Sequence, residues 1–251
     1  MENKRVQKLQ EKLQKEYWVV KANEIVQKCR FELSLPEQKT IAYICSLIKP
    51  GSTELQYEFQ IRDYCRLCGI DYNAGKNYQN VKTTLKGLRD KSFWFKMPDN
   101  SETTISWIAK VSCNKKSGLV KVKIDEDMIP YLFNLKERFT QYQLYNILNM
   151  RSAFSIRLYE LLKSFAFCGK YEVELEELKK ILMVEDVKSY ERFPDFRRKV
   201  LEKAIEEIND LTDLLIKYET IKKGKKVTAI QFKIKSKDPI QWMLCRKENK
   251  E

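Results

Sequence analysis

One strand signature occurs twice in this chain, and the repeat constrains the fold more than any other feature. Tyr57-Glu58-Phe59-Gln60-Ile61 and Tyr171-Glu172-Val173-Glu174-Leu175 both alternate apolar and polar residues, the period of a half-buried β-strand, and both run into a helical pattern. The offset is 171 − 57 = 114 residues. An amphipathic helix precedes each copy: Leu35 to Ile48, with Pro36 suited to the first turn, and Ser152 to Phe167, with Ser152 as N-cap.

A short helix, a longer helix and a lysine-tipped hairpin follow each copy. In the first half these are Ile61 to Cys68, stopping at Gly69, and Lys76 to Asp90. Strands come next at Phe93 to Lys96, at Thr104 to Ser112 (with Ile105, Trp107, Ala109 and Val111 on one face), and at Leu119 to Ile124 after the turn Asn114 to Gly118. In the second half they are Leu175 to Met183, a helix from about Pro194 to Leu211, and strands Leu214 to Glu219 and Val227 to Lys235 across Lys222-Lys223-Gly224-Lys225-Lys226. Helix, strand, helix, helix, hairpin is the order of a winged helix-turn-helix. The expected fold is therefore α+β, with two tandem winged helix-turn-helix domains at residues 17–137 and 138–240. A helical arm at 1–16 and a polar tail at 241–251 flank them.

The chain's 251 residues and 30.0 kDa suit two domains, and 43% apolar residues with seven glycines and six prolines suit two packed cores. The longest uncharged run, Phe139 to Met150, is too short and too polar to span a membrane. The charged start, Met1 to Glu16, does not read as a signal peptide. A cytoplasmic protein is expected, its seven cysteines reduced and mostly buried. There is no histidine, which excludes Ser-His-Asp and Cys-His catalysis, imidazole-ligated zinc hydrolases and histidine-metal nickases.

Charge points to a partner. Lys217 to Lys237 contains eight lysines and one acid, 8 − 1 = +7, and Lys110 to Lys123 contains five lysines and no acid, so the two segments carry 7 + 5 = +12 of the net +13. Such concentration suits a polyanion, the alternative being solvated lysine turns. On the longer helix of the first half, Val81, Leu85 and Leu88 form a core stripe, and Lys82, Lys86 and Arg89 repeat its spacing one residue later. A cationic stripe on the helix before a wing suits a DNA major groove, and Lys76, Asn77 and Thr83 can add to it. Lys115 and Lys116 tip the first hairpin. In the second half Arg197, Arg198 and Lys199 crowd the early turns of the long helix, with Lys203 beyond, while Glu206, Glu207 and Asp210 follow. That order opposes the macrodipole by about 0.3–1 kcal/mol per charge, and arginine near the start of such a helix is the side chain best shaped for guanine.

Three further patterns carry no chemistry. Gly69 to Lys76 (GIDYNAGK) has the wrong spacing for a phosphate loop and reads as the turn between two helices. Cys65 and Cys68 form a lone pair without a second pair nearby, so core packing is expected rather than zinc or redox work. Glu206 and Glu207 point apart on their helix. No metal, cofactor or catalytic group is expected.

The run Arg151-Ser152-Ala153-Phe154-Ser155-Ile156-Arg157-Leu158-Tyr159-Glu160-Leu161-Leu162-Lys163, preceded by Phe139-Thr140-Gln141-Tyr142, resembles the opening of the second winged helix in iteron-binding, theta-type plasmid replication initiators of bacteria, and the tandem order resembles them over about 220 residues. The resemblance implies a sequence-specific double-stranded DNA-binding protein that binds origin direct repeats (iterons), takes part in plasmid copy control and helps open the origin for host replication initiator and helicase-loading proteins. It implies a dominant second domain, and a first domain that also dimerises within a monomer–homodimer equilibrium. Arg197, Arg198 and Lys203 then lie on the second recognition helix, and Lys82, Lys86 and Arg89 on the first. Arg151, Ser152, Ser155 and Arg157 sit at a helix N-terminus, either as a phosphate site or as capping and intrahelical pairing. Lys222, Lys223, Lys225 and Lys226 would grip phosphate from a flexible wing tip. The arm, with Val6, Leu9 and Leu13 on one stripe, reads as a docking or dimerisation element or as a solvated helix. A double winged-helix transcriptional repressor or autoregulator is the alternative. A strand-transfer enzyme using a tyrosine is a distant third, for want of an arginine/tyrosine catalytic cluster.

Overall fold

The structure is a computed structural model that describes residues 17–68, 70, 75–96 and 101–237. The Met1 to Glu16 arm, the 241–251 tail and most of the Gly69 to Lys76 turn lie outside the described residues. Among those described, the chain divides into two compact units, one of residues 17–25 and 31–149, the other of 26–30 and 150–237.

The first unit contains β1 (Trp18–Ala22), α1 (Asn23–Lys28, whose last residues count with the second unit), α2 (Leu35–Ser46), β2 (Gln56–Gln60), α3 (Ile61–Cys68), α4 (Gly75–Asp90), β3 (Ser92–Lys96) and β4 (Glu102–Ser106). It continues through β5 (Ile108–Cys113), β6 (Leu119–Ile124), α5 (Ile129–Leu132), β7 (Phe139–Gln143) and α6 (Tyr145–Leu148). Its strands form a three-stranded sheet in the order β2-β6-β5 and two ribbons, β1-β7 and β3-β4. The β1-β7 ribbon moves the division of the chain from the expected 137/138 to Asn149/Met150, because Phe139 to Gln143 pairs antiparallel with Trp18 to Ala22.

Helix α2 starts where Glu37 turns back to accept the Ser34 backbone N–H at 2.7 Å, half of a capping box, with Pro36 in the first turn. The Glu37 carboxylate also accepts Lys91 Nζ at 2.7 Å, tying α2 to the residue that follows α4. Gly87 on α4 makes room for it: a Cβ there would lie 2.4 Å from Glu37 Oε1. Val81, Leu85 and Leu88 are buried, as their spacing requires.

The strand expected from Thr104 to Ser112 breaks at Trp107. Its indole is buried in the core, 5.1 Å from Phe31 in a perpendicular arrangement and 5.1 Å from Phe93. The chain turns there, so β4 pairs with β3 and β5 with β6. A register shift between Ile108 and Lys110 leaves Ala109 exposed, outside the face assigned to it by alternation.

The second unit contains α7 (Ala153–Ser164), β8 (Lys170–Glu174), α8 (Leu175–Ile181), α9 (Phe193–Phe196), a π-helical turn (Arg197–Leu201), α10 (Glu202–Leu211), β9 (Leu214–Lys223) and β10 (Lys226–Ser236). Helix α9, the π turn and α10 run on as one helix, and the sheet order is β8-β10-β9. Phe196, Leu201, Ile208, Ile230 and Phe232 fill the core between helix and sheet. Helix α7 stops at Ser164, short of the expected Phe167; Phe165 stacks on Tyr171 at 4.0 Å, and Gly169 (φ 69°) turns the chain into β8. Helix α8 stops at Ile181 because Met183 is left-handed (φ 56°). The second hairpin is longer than expected: Lys223 pairs with Lys226 across the two-residue turn Gly224-Lys225. Lys222, Lys223 and Lys226 therefore stand on strand ends, and the flexible loop assigned to them is a tight turn.

Candidate nucleic-acid interface

On α4, Lys76, Lys82, Thr83, Lys86 and Arg89 are exposed and Asn77 is half-buried. Two of the three stripe cations converge on one acid, Lys86 Nζ donating to Asp90 at 2.8 Å and Arg89 to it at 3.2 Å. These hydrogen bonds hold the Asp90 carboxyl below its ordinary pKa. Lys76 and Lys82 form no ion pair among the described residues. The first wing tip is built by Asn114, whose side chain accepts the Lys116 and Ser117 N–H groups at 2.9 and 3.2 Å and leaves Lys115 and Lys116 exposed. Further along this wing Lys121 pairs with Glu58 and Lys123 with Glu126, so acids outside the segment offset part of its +5.

In the second unit Arg197, Arg198, Lys199 and Lys203 are all exposed, the first three on the π-helical turn. Lys222, Lys223, Lys225 and Lys226 are exposed at the wing tip, with no carboxylate partner among the described residues. A cleft of about 410 Å³ lies between helix and wing, with Arg197, Lys222, Lys225 and Lys226 on its walls together with Thr220, Glu176 and Glu191. One arginine and three lysines from two elements thus face one concave space.

The helix N-terminus read as a phosphate site is otherwise occupied. Ser152 caps α7 by accepting the Phe154 N–H at 3.2 Å, and Glu207 accepts the Arg151 N–H at 2.9 Å, so a carboxylate already sits where an anion would. Ser155 is fully buried and Arg157 only 4% exposed, which removes both from any surface. Arg157 is structural: Nη2 donates to the Cys29 carbonyl at 2.6 Å and Nε to the Ile181 carbonyl at 3.4 Å. The sequence carries no signal of this burial, since Arg157, Glu160 and Ser164 share one sector of an amphipathic helix, the pattern of a solvated face.

Sequence reading missed Glu202 and Tyr218. Glu202 Oε1 lies 3.3 Å from Arg197 Nε and accepts the Tyr218 hydroxyl at 3.3 Å. Cys65 is buried and Cys68 half-buried, both as thiols, and desolvation pushes Cys68 up to about 12. No described helix is long and apolar enough to cross a membrane.

Two helix-turn-helix units, each with a cationic helix and a cationic wing, define a tandem winged-helix protein. Family models agree: "Initiator Replication protein, WH1" matches residues 18–163 and "Initiator Rep protein, WH2" matches residues 174–234. The chain belongs to the initiator replication protein family. An Escherichia coli "Replication initiation protein" is 25% identical over 229 residues, covering 86% of this chain and 69% of the relative. The Escherichia coli "PI protein" is 29% identical over 144 residues, 51% of this chain and 46% of that one. The crystal structure of a Pi initiator protein in complex with iteron DNA superposes with a TM-score of 0.73 at 22% identity, covering 90% of this chain and 99% of that one.

Proposed function

We propose that this initiator binds repeated double-stranded DNA sites, iterons, at a plasmid origin and helps open the origin for host initiator and helicase-loading proteins. The observation that carries the reading is the cleft of the second unit, where Arg197 on the helix and Lys222, Lys225 and Lys226 on the wing face one space. Arginine supplies the planar fork suited to guanine O6 and N7, and the lysines supply point charges for phosphate. The solved relative bound to iteron DNA supports the same partner for this chain. The reading is non-catalytic: the sequence holds no histidine to shuttle protons, and Cys65 is buried as a thiol. The protein works in the cytoplasm, as a monomer in equilibrium with a homodimer.

The test is a titration of supercoiled and linear origin DNA at several salt concentrations. Repeat-bearing DNA should bind far more tightly than scrambled DNA, with log K falling steeply against log salt as phosphate counterions are released. A slope near zero, or equal binding to both DNAs, overturns the reading. Nicked or covalently attached DNA in the same reactions overturns its non-catalytic part.

A further inference from the structure

We propose that Glu202 is a positioning residue that fixes the guanine-reading face of Arg197, and that the π-helical turn is what brings the two side chains together. The inference rests on the DNA-reading function proposed above. In an α-helix, side chains that pair lie three or four residues apart. Arg198 follows that rule and meets Asp195, three residues back, at 3.5 Å. Arg197 and Glu202 are five apart, a spacing that needs a wider turn. The π-helical turn supplies it: the Glu202 N–H donates to the Arg197 carbonyl, an i to i+5 closure. Arg197 Nε then lies 3.3 Å from Glu202 Oε1.

That carboxylate oxygen is held a second time. Tyr218, on the wing strand β9, donates its hydroxyl to the same Oε1 at 3.3 Å. The hydroxyl is protonated at neutral pH and donates, and burial and the neighbouring Glu202 raise its pKa further. Glu202 therefore joins the helix to the wing and engages Arg197 by its Nε edge. The two Nη groups at the far end of the guanidinium remain, and these can meet guanine O6 and N7 as a fork. Arg197 is 49% exposed on the wall of the cleft, accessible yet restrained. The carboxylate also adds a negative charge beside the DNA path, which lowers affinity for any duplex that does not engage the fork. Orientation and discrimination thus come from one side chain.

The test uses the full chain and duplexes selected by it from a random pool. Each guanine of the selected consensus is replaced in turn by 7-deazaguanine, which lacks the N7 acceptor. In the unmodified protein one guanine should show a penalty of about tenfold, within the range of a bidentate pairing. Arg197→Ala should abolish that penalty. Glu202→Gln should shrink it to about two- to threefold while scrambled duplex binds about two- to fivefold more tightly, because the fork is freed and a repulsive charge removed. A merely structural role for Glu202 would instead weaken selected and scrambled DNA together. Tyr218→Phe removes the second anchor and keeps the charge, so it should reduce the penalty without raising scrambled binding, and it decides the question should Glu202→Gln fail to fold. A Glu202→Gln or Tyr218→Phe protein that keeps the full penalty overturns the inference. An Arg197→Ala protein with every penalty intact overturns Arg197 as the reader, and a pool that yields no consensus overturns the DNA-reading function itself.

Discussion

The two winged-helix units share an order of elements but answer a buried charge in different ways. The first encloses the Glu37 carboxylate, answered by Lys91 and the Ser34 N–H; the second encloses the Arg157 guanidinium, answered by backbone carbonyls of Cys29 and Ile181. Their surfaces differ as well. Helix α4 spreads lysines along its length and draws two stripe cations to Asp90 at its C-terminal end, whereas the second unit gathers two arginines and a lysine on a single π-helical turn, of which Arg197 shares a cleft with the lysine-tipped wing. Spread lysines suit phosphate, and a restrained arginine suits a base edge. The proposed function therefore predicts sequence reading by the second unit and sequence-independent grip by the first.

The largest effect expected is that of Arg157→Ala. It leaves the Cys29 carbonyl and the buried Glu160 carboxylate without the cation that offsets them, and removing one partner from a buried charged network costs about 3–5 kcal/mol. Urea unfolding should show a loss of that size, with DNA binding failing in proportion to unfolding. A fully stable Arg157→Ala protein that binds DNA poorly would restore the phosphate role given to Arg157 by sequence and erase this half of the comparison.

Next are the cations of the second unit. Arg197→Ala or Arg198→Ala should weaken cognate DNA by about 1–3 kcal/mol and scrambled DNA much less, for whichever arginine meets a guanine. Replacing Lys222, Lys223, Lys225 and Lys226 together should weaken both DNAs by similar factors and lower the salt slope by up to about one unit for each phosphate that is no longer neutralised. Arg198, 71% exposed and paired among the described residues with Asp195, is the weaker candidate for base reading. Equal losses on cognate and scrambled DNA from both arginine variants would make the second helix a gripping surface like the first.

Replacing Lys82, Lys86 and Arg89 in the first unit should weaken binding by a smaller amount and without regard to sequence. Lys86 and Arg89 must first leave Asp90, so each exposed cation contributes roughly 0.2–1 kcal/mol net. Competition between cognate and scrambled duplexes measures it. A selective loss on cognate DNA would show that α4 reads bases and that the units divide the task differently.

How legible these differences were depends on whether their cause is local. The strands at Tyr57 and Tyr171, the helices after them and the stripe Val81, Leu85 and Leu88 follow from short-range periodicity, and the structure has them where periodicity puts them. The β1-β7 ribbon was not legible, because Trp18 and Gln143 pair across most of the first unit and neither segment announces its partner. Trp107 read as one more alternating residue until its ring was needed between Phe31 and Phe93. Arginine in a helix normally faces water, and Arg157 shares its sector of α7 with Glu160 and Ser164, so nothing local announces that all three are buried. The concentration of lysine at both wings was legible as charge. The Arg197–Glu202 pairing was hidden because it needs a non-α turn.

A separate effect, on stability rather than on binding, concerns the buried acid of the first unit. Burial works against ionisation of Glu37, yet the hydrogen bonds from Lys91 and Ser34 outweigh it, and its pKa lies below the usual carboxylate value. A folded-state pKa below the unfolded one contributes stability that is present above the unfolded pKa, about 4.3 for glutamate, and is lost as pH falls through the folded pKa. The first unit should therefore lose stability from about pH 5 downward. Lys91→Met should flatten that loss by raising the folded pKa, and Trp107, buried in the first unit's core, reports it by fluorescence. Gly87→Ala sharpens the test. Alanine in a helix gains about 0.5–1 kcal/mol over glycine, but the new Cβ, 2.4 Å from Glu37 Oε1, must push the carboxylate off Lys91 and the Ser34 N–H. These losses, about 1.5–3 kcal/mol for hydrogen bonds to a charged group, exceed the helical gain, so Gly87→Ala should destabilise the first unit by roughly 1 kcal/mol. It should also weaken the pH dependence as Lys91→Met does. A more stable Gly87→Ala protein with unchanged pH dependence would mean that the carboxylate moves aside freely, and that the buried anion of the first unit is not the counterpart of the buried cation of the second.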